Sequence, residues 1–377
     1  MKKILIDCLD DGYITVLIEN GKLIEVLQDS KEGSLVGNIY MGIVKKIQTG
    51  FIFADIGNER QVFLDARDKR EAVLFKDGKL TVKQGDALML QIIKDADGGK
   101  CPNATCNIAY AGKYVVFSKT ADCGKINISA KITDSKEILR LKELGREIVP
   151  EGFSLILRTQ AADASHEEIQ SEVNDLIAKF EEHDMWSNIK PPVVLHAEHP
   201  VVKALNYLNE NADEIVVNNM QVYEILVKKF HDIKSKIRYF KSDIHIFDHF
   251  CIKTQLNKMK ERKVWLKSGA FIVIQRTEAC VVIDVNTAKS GTKNRENLKI
   301  NMEAADEIAY QLRLRNLSGI IIIDFINMTS EEEVQKLTEH LQSALSHDKI
   351  PSFVAGMTSL GMMEMTRKKA RNAFIAL

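Results

Sequence analysis

The 377-residue chain contains no stretch that approaches the roughly 18–20 consecutive apolar residues of a membrane span. Its start, Met-Lys-Lys-Ile-Leu-Ile-Asp-Cys, is too short in apolar length for a signal peptide and meets an acid at Asp7. Neither charge is in excess, because 52 Lys and Arg balance 52 Asp and Glu. A nucleic-acid partner would therefore have to be met by locally gathered cations, not by net charge. No Gly-x-x-x-x-Gly-Lys loop occurs, which disfavours a phosphotransferase acting on a nucleotide. Cysteine is scarce: six residues, at 8, 101, 106, 123, 251 and 280, follow no pairing rhythm. Reduced thiols in a cytoplasmic protein are the expectation. Cys101 and Cys106 are spaced too widely for a zinc knuckle and have no second pair, so buried or half-buried strand thiols are expected there and zinc is not.

What is present is an ordinary globular composition, 45% hydrophobic and 28% charged, long enough for about two to four compact units. Residues 3–7, 13–18 and 22–27 alternate apolar and polar positions, and Asn20-Gly21 splits the last two segments, which predicts an antiparallel meander. Three strands in thirty residues make no core alone, so they must pack on a later segment. From Val36 to about Ala109 short Gly-punctuated strands predict a small OB-type barrel. Its Gly-x-Val strand, aromatic second strand ending Asp55-Ile-Gly57, Phe63-Leu64 strand and Gly85-Asp86 resemble an S1-type RNA-binding fold. Phe53 and Phe63 are then the candidate stacking rings, with Lys94 and Lys100 as candidate phosphate contacts.

Ser165 followed by Glu167 and Glu168 predicts the start of a helix whose stripe is Ile169, Val173, Leu176, Ile177 and Phe180. Before it, residues 154–159 read as a strand ending in Arg158 and Thr159, and 193–196 as another strand. A βα pattern then runs from Pro200 to about residue 250.

The segment 264–328 carries the chemistry. Along a strand Asp284 and Asn286 share one side, because successive side chains alternate. A helix over 297–315 follows, and then Ile320-Ile-Ile-Ile-Asp-Phe325, an apolar run that predicts a central strand buried on both faces. Strand, helix and strand with an acid near each strand end bring Asp284 and Asp324 to one carboxyl edge of a sheet. Two such carboxylates repel, and a divalent cation relieves the repulsion. Mg2+ accepts one or two protein carboxylates and leaves positions for phosphate oxygens.

Four segments, Ile283-Asp-Val-Asn-Thr-Ala-Lys289, Asn301-Met-Glu-Ala-Ala-Asp through Arg315, Ile322-Ile-Asp-Phe-Ile-Asn-Met328 and Gly356-Met-Thr-Ser-Leu-Gly through Lys369, resemble successive signatures of the ribonuclease E/G family. The resemblance implies an α+β multidomain fold: an RNase H-like subdomain (1–34 and 202–260) with an inserted S1-type barrel (35–109) and 5′-sensor (110–201), followed by a DNase I-like α/β catalytic subdomain (261–377). It implies a Mg2+-dependent endoribonuclease, with Mn2+ as an alternative metal. The enzyme would hydrolyse single-stranded A/U-rich RNA to 5′-phosphate products, in ribosomal RNA maturation and messenger RNA decay. Asp284 and Asp324 would hold the metal, Asn286 would support them, and Lys289 and Lys293 would grip the scissile phosphate. Gly112, Val116, Lys131, Arg158 and Thr159 would line a pocket for a 5′-monophosphate, where a planar guanidinium and a hydroxyl suit phosphate oxygens. A protein of the same fold that binds RNA without cutting it is the alternative reading.

The sequence departs from the family pattern in three places. The chain reaches Leu377 soon after the segment 366–371, expected to be helical, so a short form is expected, without the Cys-Pro-x-Cys zinc link that helps the family assemble homo-oligomers. Ala130 stands where an arginine is frequent, and Asn327 where an acid is frequent.

Overall fold

A computed structural model describes the chain except for residues 69–70, 72–73, 77–78, 97–99, 120–123, 186–189, 209–211, 288–296, 329 and 370–377. The chain divides into two compact units, Met1–Gly33 with Pro200–Leu377, and Ser34–His199.

In the first unit the predicted meander forms as strands Lys2–Cys8, Gly12–Glu19 and Lys22–Ser30. Glu19 faces Lys22 across the turn, and Asn20 and Gly21 both take positive φ (50° and 78°). That is the backbone a two-residue hairpin turn of matching twist requires, and Asn-Gly provides it at little cost. The partner the hairpins lack comes from far along the chain. Glu214–Val217 pairs in parallel with Lys2–Cys8, and Ile237–Tyr239 pairs in parallel with Glu214–Val217, giving a five-stranded sheet. The helix Pro200–Leu208 seals one face, where Val201, Leu205 and Leu208 pack with Ile4, Ile6 and Leu17.

The same unit holds a six-stranded sheet in the order Lys263–Trp265, Phe271–Arg276, Cys280–Asn286, Gly319–Asp324, Met363–Arg367, Ser352–Met357. Cys280–Asn286 and Gly319–Asp324 are parallel and interior, joined through the helix Asn297–Leu314. That helix buries Ala304, Ala305, Ile308 and Leu312 in one core with Ile283, Ile321, Ile323 and the Leu337, Leu341 and Leu345 stripe of the helix Glu331–Leu345.

Two expectations are corrected here. The run Ile320–Ile323 is central but is not buried on both faces: Ile321 and Ile323 enter the core, while Ile320 is 54% exposed. Among the described residues of this sheet, the core lies on one side only, and Ile, indifferent to which face it occupies, hides that asymmetry in the sequence. Second, the segment expected to be helical from Thr366 is still strand to Arg367. Met363, Met365 and Arg367 are buried alternately with exposed Glu364 and Thr366, a period of two. Arg367 enters the core because its guanidinium is met there. Nε donates to Asp348 (2.7 Å), and Nη1 donates to Asn316 Oδ1 (3.1 Å) and the Leu317 carbonyl (2.8 Å).

In the second unit five strands close into an OB-like barrel: Ile39–Gln48, Phe51–Asp55, Gln61–Asp65, Asn103–Thr105 and Ala87–Lys94, the last returning to pair with the first. Val44, Ile52, Val62, Leu64, Leu90 and Ile92 fill it, each contributing about 1.5–3 kcal/mol of burial. Val193–His196 adds to the outer edge of Ile39–Gln48. Beside the barrel lies a four-stranded sheet of Ala109–Ala111, Val115–Ser118, Ser154–Leu157 and Ile126–Ile128, packed against the helices Ser135–Ile148 and His166–Met185. Ser165 and Glu168 cap the second helix reciprocally: the Glu168 amide donates to Ser165 Oγ (3.2 Å) and the Ser165 amide to Glu168 Oε2 (2.8 Å). Among the described residues no helix is long and apolar enough to cross a membrane.

Candidate active site

Asp284 and Asp324 are register partners on adjacent parallel strands. Neighbouring strands run about 4.8 Å apart, and paired residues point to the same face, so the two acids stand side by side at the carboxyl edge of the sheet. Both are exposed on the face opposite the helices. Asn286, two residues beyond Asp284 on the same strand face, donates through Nδ2 to Asp284 Oδ2 at 2.6 Å. Among the described residues no cation pairs with either acid, and no group of three or more His, Cys, Asp or Glu side chains gathers at one metal site. Two exposed carboxylates with an amide bracing one of them form a sparse oxygen donor set, the kind that Mg2+ accepts while keeping several waters.

The Asp324 strand end is held from the helix below it. Asn301 is fully buried; its Nδ2 donates to the Ile326 carbonyl (2.7 Å), and its Oδ1 accepts from the Ile326 amide (3.0 Å). One turn earlier Asn297 Nδ2 donates to the Asn327 carbonyl (3.0 Å). Glu303 accepts from the amides of Lys267 (2.7 Å) and Ser268 (3.2 Å), which fixes the turn before Phe271–Arg276. These residues were not singled out from the sequence. The available signal was an asparagine pair four apart on the helical stripe that should have been apolar. Asn327, in place of the frequent acid, offers this bond through its backbone carbonyl only.

On the barrel, register gathers one transverse row across five strands: Lys46, Phe53, Phe63, Asn103, Lys94. The Phe53 and Phe63 rings are half-buried, with centroids 5.7 Å apart. Phe51 joins them at 5.1 Å from Phe63, and the Arg67 guanidinium lies 3.8 Å from the Phe51 centroid. Lys46, Phe51 and Arg67 extend the surface beyond the residues picked from sequence. Lys100 is exposed and is not part of this row.

Residues of the expected phosphate pocket converge at adjoining strand ends. Val116 pairs with Ala111 on one side and Ile156 on the other. Arg158 follows that second strand; its amide donates to the Tyr114 carbonyl (2.7 Å) and its Nη1 to the Gly112 carbonyl. Thr159 Oγ1 lies 3.1 Å from Ser129 Oγ. Lys131 is exposed, and its amide donates to the same Ser129 hydroxyl (3.4 Å). Lys289 and Lys293 lie outside the described residues. The expectation of buried or half-buried strand thiols at 101 and 106 holds in part: Cys106 is half-buried, with its thiol pKa raised by burial and by the Glu71 carboxylate, but it follows the strand Asn103–Thr105, and Cys101 is exposed and also outside a strand.

Comparison with known proteins places the chain in a family. Residues 109–370 match the family model described as Ribonuclease E/G family. Ribonuclease G of Escherichia coli K12 is 32% identical, over 94% of this chain and 77% of its own length. Ribonuclease G of Haemophilus influenzae is 31% identical, over 95% and 77%. Ribonuclease E of Escherichia coli K12 is 31% identical, over 98% of this chain and 37% of that longer protein. The chain belongs to the ribonuclease E/G family.

Proposed function

We propose that this chain is an endoribonuclease that hydrolyses single-stranded, A/U-rich RNA with Mg2+ held by Asp284 and Asp324. The observation that carries the reading is the direct register of those two acids at the carboxyl edge of one sheet, with no cation beside them among the described residues. When bound, the metal would supply charge neutralisation and Lewis acidity at a phosphodiester and would favour ionisation of a water. Asn286 keeps Asp284 oriented through the 2.6 Å bond without adding a third charge. Asn301 and Asn297 hold the backbone after Asp324, so the second carboxylate does not drift.

The other parts fit the same substrate. The row of two cations, two rings and an amide suits a single strand, whose bases stack on aromatic faces while phosphates meet lysine. The barrel is accordingly read as an S1-type RNA-binding subdomain, with Phe53, Phe63 and Lys94 as contacts. Gly112, Val116, Lys131, Arg158 and Thr159 are read as a sensor for a 5′-monophosphate, Arg158 and Thr159 offering the donors. The discontinuous sheet of the first unit is read as the RNase H-like subdomain, and the six-stranded sheet as the DNase I-like one. The products would carry 5′-phosphates, and the substrates would include ribosomal RNA precursors and messenger RNA.

The test is cleavage of a 5′-monophosphorylated A/U-rich RNA in Mg2+, with and without EDTA, by the parent chain and by the double variant Asp284→Asn, Asp324→Asn. Metal-dependent cutting that disappears in the variant while RNA binding survives supports the reading. Binding without cutting in either Mg2+ or Mn2+ sinks it in favour of a non-catalytic RNA-binding protein.

A further inference from the structure

The turn that carries Gly112 is built around a carboxylate that comes from another element. Glu172 lies in the second turn of the helix His166–Met185, whose Ile169, Val173, Leu176 and Phe180 are anchored in the core. Its carboxylate accepts from three consecutive backbone amides, those of Lys113, Tyr114 (2.8 Å) and Val115 (2.9 Å). One turn earlier on the same helix, Glu168 accepts from the Tyr114 hydroxyl at 3.3 Å. Three successive amides converging on one anion form a nest, and here the protein fills the nest itself. A Cβ at Gly112 would overlap the Glu172 carboxyl group where it stands, so a larger residue there has to push the carboxylate out of the nest.

The held turn is also what holds Arg158. The Arg158 amide donates to the Tyr114 carbonyl (2.7 Å), and its Nη1 donates to the Gly112 carbonyl. Glu172 thus takes the N–H side of the 112–115 turn while Arg158 docks on its C=O side, both main chain and guanidinium. One guanidinium nitrogen is committed to the turn, and Arg158 as a residue is exposed. Charge-assisted bonds of this kind are roughly twice as strong as neutral ones. Three of them fix the turn far more firmly than the exposed arginine would fix it alone.

We propose that Glu172 is a positioning residue for recognition of an RNA 5′-monophosphate: it presets the 112–115 turn, which aims the Arg158 guanidinium at the phosphate. This rests on reading the Gly112, Arg158 and Thr159 cluster as the 5′-phosphate pocket. The role demands an anion in the nest, because a neutral side chain leaves three aligned amides undercompensated and frees the turn to move. It also explains how a carboxylate is tolerated beside a site for phosphate: the three amides absorb its charge before the phosphate meets it.

The experiment measures binding, so it does not depend on cleavage. In the Asp284→Asn, Asp324→Asn background, dissociation constants are compared for one short A/U-rich RNA carrying either a 5′-monophosphate or a 5′-hydroxyl. The background protein should prefer the phosphate. Glu172→Ala should reduce that preference about tenfold, the worth of one charge-assisted hydrogen bond. Gly112→Ala should do the same by evicting the carboxylate, and Glu172→Asp should recover part of the loss. An unchanged preference in Glu172→Ala overturns the proposal, as does an equal loss of affinity for both RNAs, which marks a merely structural role. Should Glu172→Ala unfold, Glu172→Gln keeps the volume, removes the charge and is judged by the same comparison. If the background protein shows no preference, the 5′-phosphate pocket and this proposal both fall, while the acid-pair cleavage assay still decides the enzyme reading separately.

Discussion

Asn301 and Ile326 behave as one backbone unit: the buried side-chain amide closes two hydrogen bonds, one in each direction, on the main chain just past Asp324. A side chain that mimics a strand neighbour in this way is expensive to remove. Asn301→Ala leaves the Ile326 amide and carbonyl unpaired in a buried setting, at about 1–3 kcal/mol for each group. The expected loss is about 2–4 kcal/mol of stability by urea unfolding, with a lower kcat at unchanged RNA affinity. A variant as stable as the parent would show that water replaces the amide freely.

The acid pair should behave as a unit. Asp284→Asn and Asp324→Asn are each expected to lower kcat about a thousandfold, consistent with several kcal/mol of lost charge stabilisation. The double variant should fall little further, because either loss already disables the site. Strictly additive losses in a double-mutant cycle would mean that the two carboxylates act independently.

On the barrel, Phe53→Ala and Phe63→Ala should each weaken single-stranded RNA binding by about 1–3 kcal/mol, largely independent of salt. Lys46→Ala and Lys94→Ala should instead flatten the salt dependence of binding, by about 0.7 in log–log slope for each phosphate no longer neutralised. Titrations at several salt concentrations separate the two classes. A flat response to Lys46→Ala would remove that end of the row from the RNA path.

The buried Arg367–Asp348 pair, with side chains essentially inaccessible, is expected to be a stability determinant remote from the acids. Asp348→Ala strands a guanidinium in the core and should cost about 3–5 kcal/mol, read by thermal or urea unfolding. Replacement of the pair by apolar residues of similar volume should cost much less than either single change.

Thiol reactivity tests the cysteine assignments. Burial and the neighbouring Asp7 carboxylate push the Cys8 thiol up to about 12, and burial together with Glu71 raises Cys106 as well. Iodoacetamide at mildly alkaline pH should label the exposed Cys101 and Cys251 well before Cys8 and Cys106, by peptide mass mapping. Early labelling of Cys106 would contradict its placement.

Much of this was legible in the sequence wherever a local pattern was sufficient. The Asn20-Gly21 turn, the Ser165 cap and the 284/286 alternation depend on residues a few positions apart, and each is found as predicted. The Asp284–Asp324 pairing was legible as well, because a strand–helix–strand crossover leaves few ways to place its two strand ends. The misreadings lie where the decisive partner is remote. Nothing in Ile320–Ile323 says which face has a covering layer, and Arg367 looks like part of a basic helix until Asp348 and Asn316 are in place. Lys46 joins Phe53 only through strand register, and Glu172 meets the 112–115 turn only through a helix distant in sequence.

The gauge between Asp284 and Asp324 is a property of the peptide ladder. The two residues are register partners on adjacent strands, so their separation is the pitch of the sheet, clamped on one side by Phe271–Arg276 and on the other by Met363–Arg367. No loop motion widens the backbone spacing, and rotamer changes move only the carboxylate ends. A chain built this way can alter what its two carboxylates grasp only through the side chains, by turning an arm or lengthening it, Asp to Glu, and not by breathing of the sheet. The tolerance of the site is therefore inherited from the one dimension of a β-sheet that mutation cannot retune.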